Sequence, residues 1–214
     1  MSNIPDDKQI FLIRHGQSTG NGRGCLVGWT DHPLEDVGRD QATAVGARLA
    51  PLGPMPVACS DLQRARETAE IIAAHWQGAV QPDARWREIC CGDYEDRPWA
   101  EFSANTALAS LFDVDPLGTC VPGGESVLTM QARVLAAFTD VLANPAPRVA
   151  IVAHDGPIRA VLAHCLQIPA SRFWAITTHH GGITTLRYAQ EWVSVLCVND
   201  TSHLAELSAP LSTG

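Results

Sequence analysis

Two short stretches of the chain put a histidine where an apolar run stops. QIFLIRHGQSTGN over 9–21 ends its apolar run at Arg14, His15 and Gly16, and RVAIVAHDGPIR over 148–159 ends its own at His154, Asp155 and Gly156. A lone histidine at a strand end is ordinarily a hydrogen-bonded residue of surface or core. Two of them, each near a glycine that permits close backbone approach, point to shared chemistry. Arg64 adds a guanidinium at the start of the helical stretch in SDLQRARETAE, a place that already favours an anion, and Glu88 adds a carboxyl group in WREICCGDYEDRP.

These residue types suit phosphoryl transfer. Nearby guanidinium charge disfavours the imidazolium, so His15 keeps a nucleophilic neutral ring near pH 7. Arg14, Arg64 and His154 would hold the equatorial oxygens as charge builds in an in-line transfer. A carboxyl group beside a phosphate dianion is pushed toward its protonated form, which is what a proton donor to an alkoxide needs, and Glu88 fits that task. The set calls for no metal and no cofactor. Arg66, four residues before Glu70, reads instead as one half of a surface ion pair.

To bring these groups together the chain must supply strands that end at one edge. QIFLI, RVAIVAH and the shorter PVACS at 56–60 read as buried strands of a mostly parallel sheet. Ligands of such sheets bind beyond the carboxyl ends of the strands, where both histidines fall. Helical periodicity covers about 34–50, 62–76, 126–142 and 157–166; Pro157 suits a first turn, and Ser60 or Asp61 can cap the second helix. GGITTLRYAQEWVSVLCVND alternates like a hairpin that turns near 189–191. The fold class is therefore α/β, a three-layer α/β/α sandwich around a mostly parallel sheet. One domain over 1–214 is expected, with a helical excursion at about 97–133 that is rich in aromatic and apolar residues and covers one end of the sheet. The first eight and last several residues are expected to fray.

Composition narrows the class. The 214 residues are 46% hydrophobic and 18% charged, and no apolar run approaches the roughly 18 residues of a membrane span, so a soluble cytoplasmic protein with no membrane partner is expected. The net charge of −8 argues against a sequence-independent grip on nucleic acid. Lys8 is the only lysine, so the cations are nearly all arginine, which grips phosphate as a rigid fork. Seven scattered cysteines without a CxxC pair fit neither a disulfide framework nor a zinc site. Cys90 and Cys91 sit close to Glu88; an exposed thiolate beside arginine is activated, so oxidation is expected to depress activity.

At this point the chain resembles the histidine phosphatase superfamily, with the phosphoglycerate mutase-like fold. The resemblance lies in an ordered series: RHGQSTGN at 14–21, GWTDHPLEDVGRDQA at 28–42, SDLQRARETA at 60–69, REICCGDYED at 87–96, PGGES at 122–126, VAHDGPIR at 152–159 and NDTSHL at 199–204. It implies that His15 is the residue phosphorylated in turnover, that Arg14, Arg64 and His154 form the pocket, and that Glu88 donates the proton. It also implies phosphate or substrate contacts for Gly16, Gln17, Asn21, Asp155 and Gly156. Two positions depart from the pattern. Asp155 stands where this branch usually has glycine, and in the acid phosphatase and phytase branch the aspartate of an HD pair is the donor, so Asp155 rivals Glu88. Gln17 stands where glutamate is frequent.

The reading favoured by the resemblance is a metal-independent phosphomonoesterase acting on a small phosphorylated metabolite such as a sugar phosphate, a nucleotide-like phosphate or an α-ribazole-type phosphate. A cofactor-dependent phosphoglycerate mutase and a catalytically silent phosphate-ligand binder are the alternatives, and a homodimer is left open. A mutase must retain a bisphosphorylated intermediate, yet residues 98–132 contain no lysine or arginine. His179 and His180 precede a strand and could reach the crevice mouth, but they and the remaining histidines read rather as ordinary residues; Trp29 and Trp99 could reach the rim.

Overall fold

The computed structural model describes residues 7–21 and 24–207. Six strands form its centre: β1 (Lys8–Arg14), β2 (Val57–Cys59), β3 (Val80–Pro82), β4 (Arg148–Ala153), β5 (Ile183–Ala189) and β6 (Trp192–Asp200). They lie side by side in the order β3-β2-β4-β1-β5-β6. The first four of that order run parallel, whereas β5 and β6 are antiparallel to their neighbours. The sheet is thus mostly parallel, as expected. The hairpin turns at Gln190 and Glu191, both with positive φ.

Side-chain alternation along the strands builds two cores. Ile10 and Leu12 of β1, with Val149 and Ile151 of β4, face one cluster, while Phe11 and Ile13, with Ala150 and Val152, face the other. Helices α5 (Val127–Ala143) and α6 (Asp155–Leu166) close the first with Met130, Val134, Phe138, Ile158 and Val161. Helices α1 (Asp36–Leu49) and α2 (Gln63–Ala74) close the second with Val45, Leu49, Ala69 and Ile72. Each such buried aliphatic side chain contributes about 1.5–3 kcal/mol relative to exposure, so both faces of the sheet must be covered. Three layers result, and the parallel strands all point their carboxyl ends at one edge.

Several local expectations need correction. Lys8 does not fray: it is buried in β1, and its ammonium donates to the carbonyls of Val141 and Leu142 at 2.8 Å and to that of Asn144, satisfying the end of α5. The rest of the fraying expectation falls mainly on 1–6 and 208–214, outside the described residues. Helix α2 is capped from another loop, because the amide of Gln63 donates to Asp31 Oδ1 at 2.6 Å. Ser60 Oγ reaches only the amide of Leu62, at 3.3 Å, and Asp61 is spent on Arg87. Helix α6 starts at Asp155, so Pro157 is its third residue, still within the turn whose amides lack helical partners. Strand β3, at the sheet edge, has no counterpart among the expected strands.

The segment 97–133 contains two short helices, α3 (Trp99–Ala104) and α4 (Thr106–Val114), before it runs into α5. Phe102 gathers their aromatics, with its ring 4.9 Å from Trp99 and 5.5 Å from Phe112. The start of this cover is tied to the loop before α1: Leu26 donates to Arg97 O at 2.9 Å, and Trp99 donates to Gly24 O at 2.9 Å.

Candidate active site

Register brings the two histidines together. β1 and β4 are parallel neighbours with Arg14 opposite Ala153, and the amide of His15 donates to Ala153 O at 2.9 Å. The next residues of the two strands, His15 and His154, therefore meet edge to face with ring centroids 4.9 Å apart. Both are buried, at 3% and 0% exposure. His15 Nδ1 lies 2.7 Å from its neighbour's carbonyl, Gly16 O. That contact fixes Nδ1 as the protonated nitrogen and leaves the Nε2 lone pair for chemistry.

The close turn after β1 depends on two glycines. A Cβ at Gly16 would stand 2.3 Å from Gly38 O, and one at Gly38 would stand 2.1 Å from Gln17 O. Helix α1 thus packs backbone to backbone on the turn, and the amide of Gly16 donates to Thr68 Oγ1 of α2 at 3.1 Å.

The two guanidinium groups are aimed by carbonyls. Arg14 donates through Nη1 to Thr178 O at 2.7 Å; Arg64 donates to Thr30 O at 3.0 Å and Gly28 O at 2.7 Å. Arg14 Nε, Arg64 Nε and both ring nitrogens of His154 are buried and meet no hydrogen-bond partner within the protein. Buried polar groups ordinarily find one, so these atoms mark a site suited to a polar ligand: the two arginine nitrogens are donors, and the His154 ring in its neutral form offers one donor and one acceptor. Burial, followed by the charges of His154, Arg64, His180 and Arg14, holds His15 well below the usual imidazole range. His154 is held well below it as well, by burial and then by Arg64 and Arg14. Both shifts favour the neutral rings near pH 7.

Glu88 joins the cluster across the start of α6. Its Oε2 accepts from the amide of Gly156 at 3.2 Å and its Oε1 from that of Ile89 at 2.8 Å. A Cβ at Gly156 would come within 2.2 Å of Glu88 Oε1, so glycine there makes the seat. Burial first, and then the neighbouring Asp155 carboxylate, push the Glu88 carboxyl up from the ordinary range, which favours the protonated form. Asp155 is otherwise engaged: Oδ1 accepts from Thr178 Oγ1 at 2.6 Å and Oδ2 pairs with Arg159 at 2.7 Å. Both carboxyls are partly buried; that of Glu88 is pushed toward its protonated form, and that of Asp155 is held by Thr178 and Arg159.

Gln17 and Asn21 each make a hydrogen bond within the loop that follows His15. Gln17 Nε2 donates to Glu35 at 2.9 Å, and Asn21 Oδ1 accepts from the amide and hydroxyl of Ser18 at 3.1 and 2.7 Å. These bonds shape the loop after His15.

Glu95 and Arg133, neither singled out from the sequence, brace this region. Glu95 gathers the amides of Gly28, Trp29, Thr30 and Cys91 at 2.8–3.1 Å, and so fixes the carbonyls that grip Arg64. Arg133 of α5 donates to Arg87 O at 2.6 Å and to Glu88 O at 2.8 Å, and it pairs with Glu125. Trp29, 39% exposed, donates from Nε1 to Glu88 O at 2.7 Å and lies beneath the Arg87 guanidinium at 4.9 Å. Arg66 and Glu70 form the expected exposed pair, 3.8 Å apart. Cys91 contradicts the expected activation: it is buried, and burial together with Glu95 and Glu88 pushes its thiol up, away from thiolate. His180, read as a loop residue, is 1% exposed with its ring 5.3 Å from that of His15. Its signal lies in the turn that carries it, which is bonded to Arg14 and which sequence spacing alone does not reveal.

Among the described residues no group of three or more His, Cys, Asp or Glu side chains is arranged to hold a metal ion. No helix among them is long and apolar enough to cross a membrane.

Comparison with known proteins bears on family and fold. The sequence pattern of the histidine phosphatase superfamily (branch 1) matches residues 10–201. A Proteus mirabilis protein named "Probable phosphoglycerate mutase GpmB" is 32% identical over 209 residues, 94% of this chain and 96% of its own. Among solved structures, a mycobacterial glucosyl-3-phosphoglycerate phosphatase in complex with inorganic phosphate superposes with a TM-score of 0.80 at 26% identity, over 92% of this chain and 99% of its own. YhfR of Bacillus stearothermophilus superposes with a TM-score of 0.84 at 25% identity, over 92% of this chain and 99% of its own.

Proposed function

Because the chain belongs to the histidine phosphatase superfamily, branch 1, we propose that it is a metal-independent phosphomonoesterase that hydrolyses a small organic phosphate through phospho-His15. The observation that carries this reading is the group of unpartnered donors, Arg14 Nε, Arg64 Nε and the His154 ring, around a His15 whose Nδ1 is already committed to Gly16 O. A phosphoryl group offers acceptors to all of them.

The reaction runs in two halves. The Nε2 lone pair of His15 attacks phosphorus in line with the ester oxygen. As the P–O bond breaks, the Glu88 proton passes to the departing oxygen. Arg14, Arg64 and His154 take up the charge on the three equatorial oxygens, where forks and dipoles set in place beforehand need no rearrangement. Water then attacks the phosphorus of phospho-His15, Glu88 as carboxylate accepts its proton, and the P–N bond breaks to release orthophosphate. Asp155 holds Thr178 and Arg159, and Gly156 donates to Glu88; both act by positioning.

The name of the Proteus relative favours a second reading, a phosphoglycerate mutase, in which the phosphoryl group returns to a bound acid. Hydrolysis is preferred because residues 98–132 bring no lysine or arginine for a second anionic group, and because the mycobacterial neighbour is itself named a phosphatase. The substrate is read as a small phosphorylated metabolite of the sugar, nucleotide-like or α-ribazole type. Hydrolysis of p-nitrophenyl phosphate in excess EDTA tests the reading. Turnover by the wild type that vanishes in His15→Ala supports it; isomerisation of 3-phosphoglycerate without net hydrolysis would replace it with the mutase.

A further inference from the structure

Trp29 belongs to the loop that grips Arg64. The carbonyls on either side of it, Gly28 O and Thr30 O, accept from the Arg64 guanidinium at 2.7 and 3.0 Å, and its own amide donates to Glu95 Oε1 at 2.8 Å. From this fixed backbone the side chain crosses to the other half of the site, where Nε1 donates to Glu88 O at 2.7 Å. Arg133 Nη2 donates to the same carbonyl at 2.8 Å, so both of its lone pairs are engaged. The peptide unit that carries Glu88 O also carries the Ile89 amide, and that amide donates to Glu88 Oε1 at 2.8 Å. Donors at the carbonyl end of a peptide fix its plane and strengthen the N–H at its other end. The indole is held over by the Arg87 guanidinium, 4.9 Å from the ring centroid, which Asp61 grips in turn at 2.6 and 2.7 Å.

Core packing does not account for this arrangement, because the ring is 39% exposed and belongs to neither buried cluster. We propose that Trp29 is a positioning residue that fastens the peptide unit seating Glu88 to the loop seating Arg64, and so fixes the proton donor relative to the phosphate clamp. The proposal rests on the reading of Glu88 as the acid and Arg64 as part of the clamp. Trp29 acts through the Ile89 amide and not on the ester itself. That amide favours the carboxylate, so freeing it moves Glu88 further toward its protonated form and leaves the proton less well aimed at the departing oxygen. The charged and titratable groups that face Glu88 from other elements are Asp155 of α6, Arg64 of α2, Arg14 of β1 and Arg133 of α5, with Cys91 on its own loop. All of them are retained when Trp29 alone is changed.

Two substitutions separate the N–H from the ring. Trp29→Phe removes the donor and keeps an aromatic side chain, whereas Trp29→His restores a donor, since imidazole Nε2 stands as many bonds from Cβ as indole Nε1. A carbon-13 NMR titration of the Glu88 carboxyl, assigned with Glu88→Gln, compares both with the wild type without requiring turnover. Melting temperatures and kcat/KM for an alkyl phosphate and for p-nitrophenyl phosphate are measured in parallel at about pH 8, where an exposed imidazole is neutral. Trp29→Phe should raise the Glu88 midpoint and lower kcat/KM for the alkyl ester about tenfold, with a smaller loss for the aryl ester. Trp29→His should recover most of both effects. In the Glu88→Gln background, Trp29→Phe should cost the alkyl ester less than about twofold more, since the group it aims is gone. A Glu88 midpoint unchanged in Trp29→Phe would overturn the proposal. Equal losses for both esters in the two variants, with lowered melting temperatures, would also overturn it, since they mark a structural residue. A wild type that hydrolyses neither ester would refute the phosphatase reading, while a midpoint raised in Trp29→Phe and recovered in Trp29→His would still support the tie between Trp29 and Glu88.

Discussion

His15 has one ring nitrogen committed to Gly16 O and one left for bond formation, and its neutrality is enforced by burial among cations. Glu88 is driven the opposite way, toward protonation, by burial and Asp155. Activity needs neutral His15 with protonated Glu88. kcat/KM for an alkyl phosphate should therefore fall as pH rises through the raised Glu88 value, and fall on the acid side only well below the usual imidazole range. Glu88→Gln should remove the alkaline limb and slow alkyl phosphates by roughly 10²–10⁴-fold while sparing p-nitrophenyl phosphate, whose leaving group needs no proton. If Asp155→Asn gave that leaving-group pattern and Glu88→Gln did not, the acid would be misassigned. Arg14, His15 and His154 stand out in the sequence because apolar runs end there, and Arg64 because a helical stretch begins there; Glu88 stands out by its motif. The division of labour between Glu88 and Asp155 is not, since it depends on Thr178 and Arg159 claiming the aspartate. The bonds of Gln17 to Glu35 and of Asn21 to Ser18 are not legible either, since they depend on how the loop after His15 folds back.

At the scale of elements, the site is a product of strand register and of two tight approaches. Arg14 opposite Ala153 is enough to make His15 and His154 neighbours, and alternating apolar runs reveal β1, β4 and the four long helices in the sequence. Three residues of β3 carry too little pattern to be seen, and the α2 cap from Asp31 is invisible because it crosses from another loop. Gly156→Ala would place a methyl 2.2 Å from Glu88 Oε1 and 2.9 Å from Met130 Sδ. The expected result is a loss of about tenfold or more in kcat/KM for alkyl phosphates with a smaller loss for aryl phosphates, measured across a leaving-group series. Asp31→Ala removes the acceptor for the Gln63 amide and should cost about 1 kcal/mol in urea unfolding. It should leave the pH profile of turnover unchanged.

For the whole molecule, two buried neutral imidazoles tie stability to pH. His15 and His154 have lowered values in the folded state, so between those values and about 6.5 the unfolded chain binds more protons, and stability falls as pH falls. Glu88, raised in the folded state, offsets one of the two. Stability is therefore expected to fall as pH falls below about 6.5, less steeply below the raised Glu88 value, and His154→Gln should reduce the fall in melting curves taken from pH 7.5 to 5.5. The layered α/β architecture is legible from composition and alternation because both sheet faces must be buried. Lys8 at the end of α5 and Arg133 behind Glu88 are not legible, because their partners are carbonyls distant in sequence. Everything in this account turns on one covalent bond between His15 and phosphorus. The most direct measurement is alkaline quenching of the enzyme during turnover of p-nitrophenyl phosphate, followed by mass spectrometry of peptides spanning 9–21. The account predicts a phosphoryl group on His15 that reaches its steady level within the first turnover and disappears as substrate is exhausted. Continued hydrolysis with that peptide unmodified throughout, or modification at another residue, would contradict it.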